Sequence, residues 1–351
     1  MKRKRQIAAT SGAKLLAPLC LCGARTARKY LQGLRVAMEG VRRAEDSACV
    51  HDMRVASRRL RSTLPLLAVC LSRQTCERWR KQLRRLTRAS GEARNTDVQI
   101  ACVQRFLDQA ASAQERPGVE RLLLRLQQQR QALQGSVLEA LERFVASRLP
   151  EEMGPRLTQL AHAYLDCGAD TPGHYVYRQT GQAIRTRLQA LQAYAPYVQQ
   201  PECSTELHAM RSAAKRLRYT MQACTPLYPD ALDEPVRTAR TIQTMLGDIH
   251  DCDVWMHDLP QFLAAERDRA LAYFGQAEPL TSLIPGILAL QDNRQQYRTQ
   301  RYQEFVAFWK QVQEHGVWER LQQTLEAAPT ESAGPAATVP MSRGDGSTTE
   351  A

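Results

Sequence analysis

The sequence lacks any uninterrupted apolar run near the roughly 18 residues that a membrane span needs, which excludes a helical membrane protein. It also lacks a CxxC pair among its ten cysteines, Cys20, Cys22, Cys49, Cys70, Cys76, Cys102, Cys167, Cys203, Cys224 and Cys252. In a chain of 351 residues these read as buried thiols in a reducing, cytoplasmic compartment, not as a disulfide framework. Cys20-Leu21-Cys22 could start a metal site, but no neighbouring residue completes one, and neither metal nor cofactor is expected. Aromatic residues are only 6%, which leaves few stacking platforms for single-stranded nucleic acid. Runs of alternating β-branched residues are missing, which argues against a sheet. Lysine is scarce: seven of the 48 cations are Lys and the other 41 are Arg. A GC-rich genome accounts for part of that ratio, but not for the positions that the arginines take. Carboxylates are scarce in one place. Residues 1–100 hold 23 Lys+Arg against 7 Asp+Glu, while the remainder hold 25 against 29. So concentrated a surplus, within an overall charge of +12, points to a polyanionic partner.

What is present is a 43% hydrophobic chain rich in Leu, Ala, Gln, Arg and Glu at three-and-four spacing. That composition supports a packed core and an all-α fold. Breakers near Ser47, Pro117-Gly118, Pro150 to Pro155, Pro172-Gly173, Pro201, Pro229, Pro279 and Pro285-Gly286 predict about eight main helices and a short one near 156–166. Residues 1–19 open with Lys2-Arg3-Lys4-Arg5 and a brief apolar stretch to Leu19, an outline shared with signal peptides. The stretch is interrupted by Pro18 and has no clean cleavage site, so a flexible basic leader is expected. From Ala327 the composition turns to Pro, Gly, Ser, Thr and Ala, and residues 326–351 are expected to be a disordered tail.

The chain repeats itself. His51-Asp-Met-Arg54-Val-Ala-Ser-Arg58-Arg59-Leu60-Arg61 matches His208-Ala-Met-Arg211-Ser-Ala-Ala-Lys215-Arg216-Leu217-Arg218. Upstream, Arg28, Leu31 and Leu34 match Arg185, Leu188 and Leu191. Downstream, Gly91-Glu92-Ala-Arg94-Asn95-Thr-Asp97-Val98 matches Gly247-Asp248-Ile-His250-Asp251-Cys-Asp253-Val254. Lys81 and Arg84 match Arg237 and Arg240. Three blocks in one order and at nearly one offset imply two copies of a four-helix unit, about 20–150 and 170–325, within a domain of about 20–325.

On a helix, with His51 at zero, Arg54, Arg58 and Arg61 fall near 300°, 340° and 280°, a stripe about 80° wide. Met53, Ala56, Leu60, Leu64 and Leu67 take the other side. His208, Arg211, Lys215 and Arg218 repeat the stripe, with Met210, Ala213, Leu217 and Met221 opposite. Each row runs roughly 15 Å, which suits an extended anion. A solvated basic face is the ordinary fate of one such run. The recurrence at matched positions, with no Glu four residues away and a repulsive cost of a few tenths of a kcal/mol per like-charged pair, favours a ligand. Arg88, on the helix before Gly91, adds to the first row. Asp97 and Asp253, repeated beside arginines, read as orienting ion pairs and not as metal ligands.

HxxRxxxRRLR, followed after a helix by G-x-x-[RH]-[DN]-x-D-V and duplicated, resembles the conserved histidine α-helical domain, CHAD. The resemblance covers about residues 20–325. It implies two four-helix bundles related by a pseudo-twofold axis, and binding of inorganic polyphosphate by basic residues of both halves at polyphosphate granules. It carries over to His51, Arg54, Arg58, Arg61, Arg94, His208, Arg211, Lys215 and Arg218. The charge argument adds Arg28, Lys81, Arg84, Arg88, Arg185, Arg237 and Arg240. His250 stands where the family has Arg, and Asn95 where it has Asp, so less symmetric binding is expected. Some family members carry a triphosphate-tunnel catalytic domain upstream, for which no room exists before residue 20.

Two other functions compete. His51-Asp52, His250-Asp251 and His257-Asp258 resemble the dyads of HD-type metal-dependent phosphohydrolases, but the repeat does not preserve them, and a non-catalytic protein is expected. A nucleic-acid binder would use the same charge, yet no DNA- or RNA-reading motif appears, which leaves weak non-specific binding. A scaffold docking on a protein is neither favoured nor excluded, and oligomeric state is not readable. If the histidines meet the polyanion, affinity should rise below about pH 6.5. Otherwise each His caps or orients a neighbour.

Overall fold

The computed structural model describes residues 2–43, 47–68, 70–109, 111–165 and 174–327. Among them the chain is all-helical, with no strand. The helices are α1 (Lys2–Arg43), α2 (Ser47–Leu67), α3 (Arg73–Ala89), α4 (Gly91–Gln109), α5 (Arg116–Ala146), α6 (Leu149–Leu165), α7 (His174–Gln192), α8 (Ser204–Cys224), α9 (Asp233–Phe274), α10 (Ile284–Glu314) and α11 (Val317–Ala327). None is long and apolar enough to cross a membrane.

The boundaries differ from the sequence reading for local reasons. Helix α9 is continuous where the first half is broken into α3 and α4. At the break, the Ser90 hydroxyl donates to the Leu86 carbonyl at 2.9 Å. Such back-bonding competes with helix propagation. Leu246 occupies the matching position and is buried instead. Pro155 lies inside α6 and does not delimit it, so this helix is longer than the short one expected near 156–166. Leu149, Met153 and Leu157 of α6 are wholly buried in the same apolar cluster as α1, α2, α3 and α5. The expected flexible leader is, from Lys2, the beginning of α1. Helix α11 follows Gly316, whose φ of 58° suits glycine, and takes in residues 326 and 327. The rest of the expected tail, and Pro172-Gly173, lie outside the described residues.

Three apolar clusters hold the helices together. One joins α1, α2, α3, α5 and α6 around Leu60, Trp79 and Leu141. A second joins α7, α8, α9, α10 and α11 around Leu217, Phe305 and Trp318. A third lies between the halves, where Phe106 of α4 and Leu122 of α5 meet Trp255 and Leu259 of α9 and Leu290 of α10.

The two helix starts marked by Pro-Gly meet in this region. A Cβ added to Gly118 would lie 2.0 Å from the Leu283 carbonyl oxygen, and one added to Gly286 would lie 1.9 Å from that of Glu115. Glu115 and Leu283 stand at the same sequence separation as Gly118 and Gly286, so each contact is the counterpart of the other. Glycine is needed at both because the neighbour is backbone and has no rotamer through which to retreat.

The cysteine reading needs one correction. Cys20 and Cys70 form a disulfide that ties α1 to the turn between α2 and α3. The two residues are 50 apart in sequence, a pairing that no sequence spacing announced. Cys22, Cys224 and Cys252 are buried free thiols, and burial pushes Cys224 and Cys252 up to about 12.

Candidate functional site

Helices α2 and α8, the carriers of the repeated motif, pack against each other. Their apolar sides settle the orientation. Met53, Leu60 and Leu67 are wholly buried in one half, and Met210, Leu217 and Met221 in the other. At about 2 kcal/mol for each large side chain removed from water, that burial fixes where the basic rows point.

The rows face one another across a shared trough. Burial, followed by Arg58, Arg211, Arg216 and Arg61, pulls Lys215 of α8 down to about 8, and Arg58 and Arg61 belong to α2. Between the rows sits Tyr219, largely buried. The Arg58 guanidinium lies 5.5 Å from its ring centroid and that of Arg218 4.7 Å from the same ring. One aromatic thus holds a cation from each row. Tyr219 went unrecognised in the sequence because Ser62 stands at its place in the first repeat.

Carboxylates stand near the rows without closing ion pairs on them: Asp52 lies near His51, Asp251 near Arg211 and Asp253 near His208 and His250. Among the described residues, His51, Arg54, Arg58, Arg61, Arg94, His208, Arg211, Lys215 and Arg218 enter no ion pair. The salt bridges lie elsewhere. The Nε atoms of Arg58, Arg211 and Arg218 and the Nδ1 of His208 are buried without a hydrogen-bond partner. Four such atoms on two facing helices are an unusual concentration, because buried polar atoms are nearly always paired.

The motif glycines have a steric role. Gly91 lies under the Arg54 guanidinium, where a Cβ would come within 3.3 Å of its Nη1. Gly247 lies under Arg211, where a Cβ would come within 3.1 Å of its Nε. The two arginines differ in one respect: Arg54 Nη1 donates to the Thr87 carbonyl at the end of α3. The unbroken α9 offers Arg211 no such free carbonyl.

The histidines stand at one end of the rows. His208 and His250 have ring centroids 4.0 Å apart. Burial, then His208 and Arg211, lowers His250 to about 4. Burial lowers His208 as well, with Arg211 and Lys215 adding to it. Burial and Arg94 lower His51. All three are neutral at pH 7 in the free protein.

Other predicted residues lie around or away from the trough. Lys81 and Arg84 of α3 line a cavity with Arg61 and Arg80 that extends the first row. Arg88 is exposed on α3, and Arg237 and Arg240 are exposed on α9. Arg240 is close enough to Arg218 to lower it, after burial and against the pull of Tyr219. Arg28 is not brought to the trough. It lines a separate cavity between α1 and α6 with Arg25, Lys29 and Arg35. Arg185 is likewise turned aside, with its Nη1 3.5 Å from the Leu325 carbonyl of α11. Asp97 pairs with Arg130 of α5 at 2.7 Å and Asp253 with Arg298 of α10. These matched pairs tie neighbouring helices together. The orienting ion pairs expected from the sequence are thus made with Arg130 and Arg298, which lie outside the repeated motifs.

Among the described residues no three His, Cys, Asp or Glu side chains converge as a metal site would require. His257 instead contacts Gln261 at 2.7 Å, and Asp258 accepts from Gln99 at 3.2 Å.

Among the described residues, fold and trough define a class: all-helical proteins that set two cationic helices face to face with no ion pair on the cations of the repeated motif. The chain belongs to the CHAD domain family, whose profile matches residues 25–260. It is 30% identical over 226 residues to an uncharacterised protein of Mycobacterium tuberculosis (strain CDC 1551 / Oshkosh). That alignment takes in 64% of this chain and 42% of the relative, so the chain spans under half of that protein's length. The crystal structure of the CHAD domain from the plant Ricinus communis has the same fold, with a TM-score of 0.55 and 21% identity over 89% of this chain and 93% of that one.

Proposed function

We propose that the chain binds inorganic polyphosphate along the trough between α2 and α8, at polyphosphate granules and without catalysing its hydrolysis. The observation that carries this reading is the set of buried, unpartnered donors on Arg58, Arg211, Arg218 and His208. A row of phosphate oxygens is the partner such donors lack, and guanidinium–phosphate contacts are among the stronger hydrogen bonds. We read the chain as two copies of one helical unit facing each other across a pseudo-twofold axis. The matched approaches of Gly118 to Leu283 and of Gly286 to Glu115, and the matched pairs Asp97–Arg130 and Asp253–Arg298, support that reading. On it, each copy lends one wall of the trough, and the copies are elaborated beyond four helices apiece.

The test is competition for a labelled long-chain polyphosphate probe. Unlabelled polyphosphate should displace it at far lower phosphate concentration than duplex DNA does, and affinity should fall steeply with salt. Equal displacement by DNA would mean a general polyanion surface. Release of phosphate from long chains with added Mg²⁺ or Mn²⁺ would mean an enzyme.

The trough also sets a pH dependence. Lys215 titrates at about 8 in the free protein, and bound polyanion raises that value. Binding therefore takes up a proton above pH 8, and affinity declines as pH rises beyond it. The three histidines start below their ordinary value and are raised by the same ligand, so affinity climbs as pH falls below about 6.5. With His250 starting near 4, the climb continues toward pH 4 and does not level off at 6.5. Calorimetry in buffers of different ionisation enthalpy should record proton uptake at pH 8.5, about half a unit above the Lys215 value, that Lys215→Met abolishes. No uptake in the wild type would remove Lys215 from the contact.

A further inference from the structure

The two halves differ at one hairpin. Helices α4 and α9 correspond from Gly91 and Gly247 onward, but α4 ends at Gln109 whereas α9 runs on to Phe274. The added stretch lies beyond residue 260, where the family match stops. It exposes apolar surface: Tyr273 is 83% exposed, Phe274 59% and Leu271 43%. Tyr273 and Phe274 hold each other edge to face at 4.8 Å.

Under this stretch is a cavity of about 740 Å³. Its wall is apolar, from Ala270, Tyr273, Phe274, Leu280 and Leu283. At one side stand three guanidiniums, Arg121 and Arg125 of α5 and Arg269 of α9, grouped on the single carboxylate of Glu266. Burial raises the Glu266 carboxyl, but hydrogen bonds from Arg125 and Arg121 outweigh it and keep the group ionised. One negative charge thus answers three positive ones, and two remain uncompensated beside an apolar pocket. Arg269 retains half of its surface in solvent.

We propose that this cavity binds an amphiphilic organic anion, a carboxylate or sulfonate on an aliphatic or aromatic body, with the head on Arg269 and its neighbours and the body against Phe274 and Leu280. Its volume is in the range of small-molecule sites, about 300–1,000 Å³, and an apolar wall with a few convergent charges is their usual make-up. A second copy of the chain does not suit it, because a protein of net charge +12 repels itself at a cationic site. The site owes nothing to the α2–α8 trough, and no residue is shared.

The test uses the full chain with saturating long-chain polyphosphate, so that the trough is blocked, and anilinonaphthalene sulfonate as probe. Dye fluorescence should rise to a one-to-one plateau and fall when dodecanoate is added. Phe274→Ser and Arg269→Gln, both at exposed positions, should each weaken dye binding about tenfold with helix content unchanged. The proposal is overturned if the dye shows no saturable binding, if dodecanoate fails to displace it, or if neither variant weakens it. Weakening by Phe274→Ser alone would also overturn it, since the cavity would then select grease without regard to charge.

Discussion

Replacing Arg58 and Arg211 together with glutamate lowers affinity for long-chain polyphosphate at least about 100-fold at physiological salt, with the helical circular dichroism unchanged. Each residue keeps a buried Nε without a partner. A hydrogen bond to a charged group contributes about 1.5–3 kcal/mol, so losing two accounts for about 3–6 kcal/mol before any repulsion from the new carboxylates. The salt dependence should flatten too, by about 0.7–0.9 in slope for each cation lost. Arg58 is a better choice than Arg54, whose bond to the Thr87 carbonyl makes it part of the end of α3. The comparison variant is Arg143→Glu, since Arg143 is exposed and already paired with Glu139. It removes two units of charge from the total, against four for the double variant, and none from the trough. If both variants weaken binding alike, net charge is responsible and the trough is not the site.

The parts of this arrangement visible in the sequence were those carried by periodicity. The three-and-four spacing of Met53, Leu60, Leu64 and Leu67 shows a helix with one buried side, and the spacing recurs at Met210, Leu217 and Met221, which are buried as well. Whether two such helices face each other depends on packing between distant segments, which one helix's periodicity does not report. Hence the joint effect of Arg58 and Arg61 on Lys215 emerged only from the structure. Tyr219 was hidden for a related reason, because it serves both rows from one of them. Arg28 and Arg185 show the opposite error. They match in the repeat, yet they point toward α6 and α11, because a residue repeated within one sequence can recur for packing as well as for binding. The Cys20–Cys70 disulfide had no local signature at all.

Gly118→Ala and Gly286→Ala should each destabilise the protein by more than about 3 kcal/mol, yet the double variant should cost much less than their sum. An inserted methyl in a packed core usually costs about 1–3 kcal/mol because side chains around it shift. Here the added carbon would stand 2.0 Å or 1.9 Å from a carbonyl oxygen, and relief requires α5 and α10 to separate. Once one alanine has forced them apart, the second meets an open interface, and the coupling follows from that shared movement. Gly33→Ala and Gly135→Ala calibrate the measurement. A Cβ at either site meets nothing within 4 Å, so each should stabilise its helix by about 0.5–1 kcal/mol. Urea unfolding with unchanged m-values reads all five variants. Costs below about 0.5 kcal/mol, or strict additivity, would mean that the two helix starts do not approach this closely in solution. The same separation should reach the trough, because α5 and α10 hold Arg130 and Arg298, which pair with Asp97 and Asp253 next to the histidine ends of the rows. A glycine pair remote from any phosphate is thereby expected to govern how far apart the two cationic walls stand.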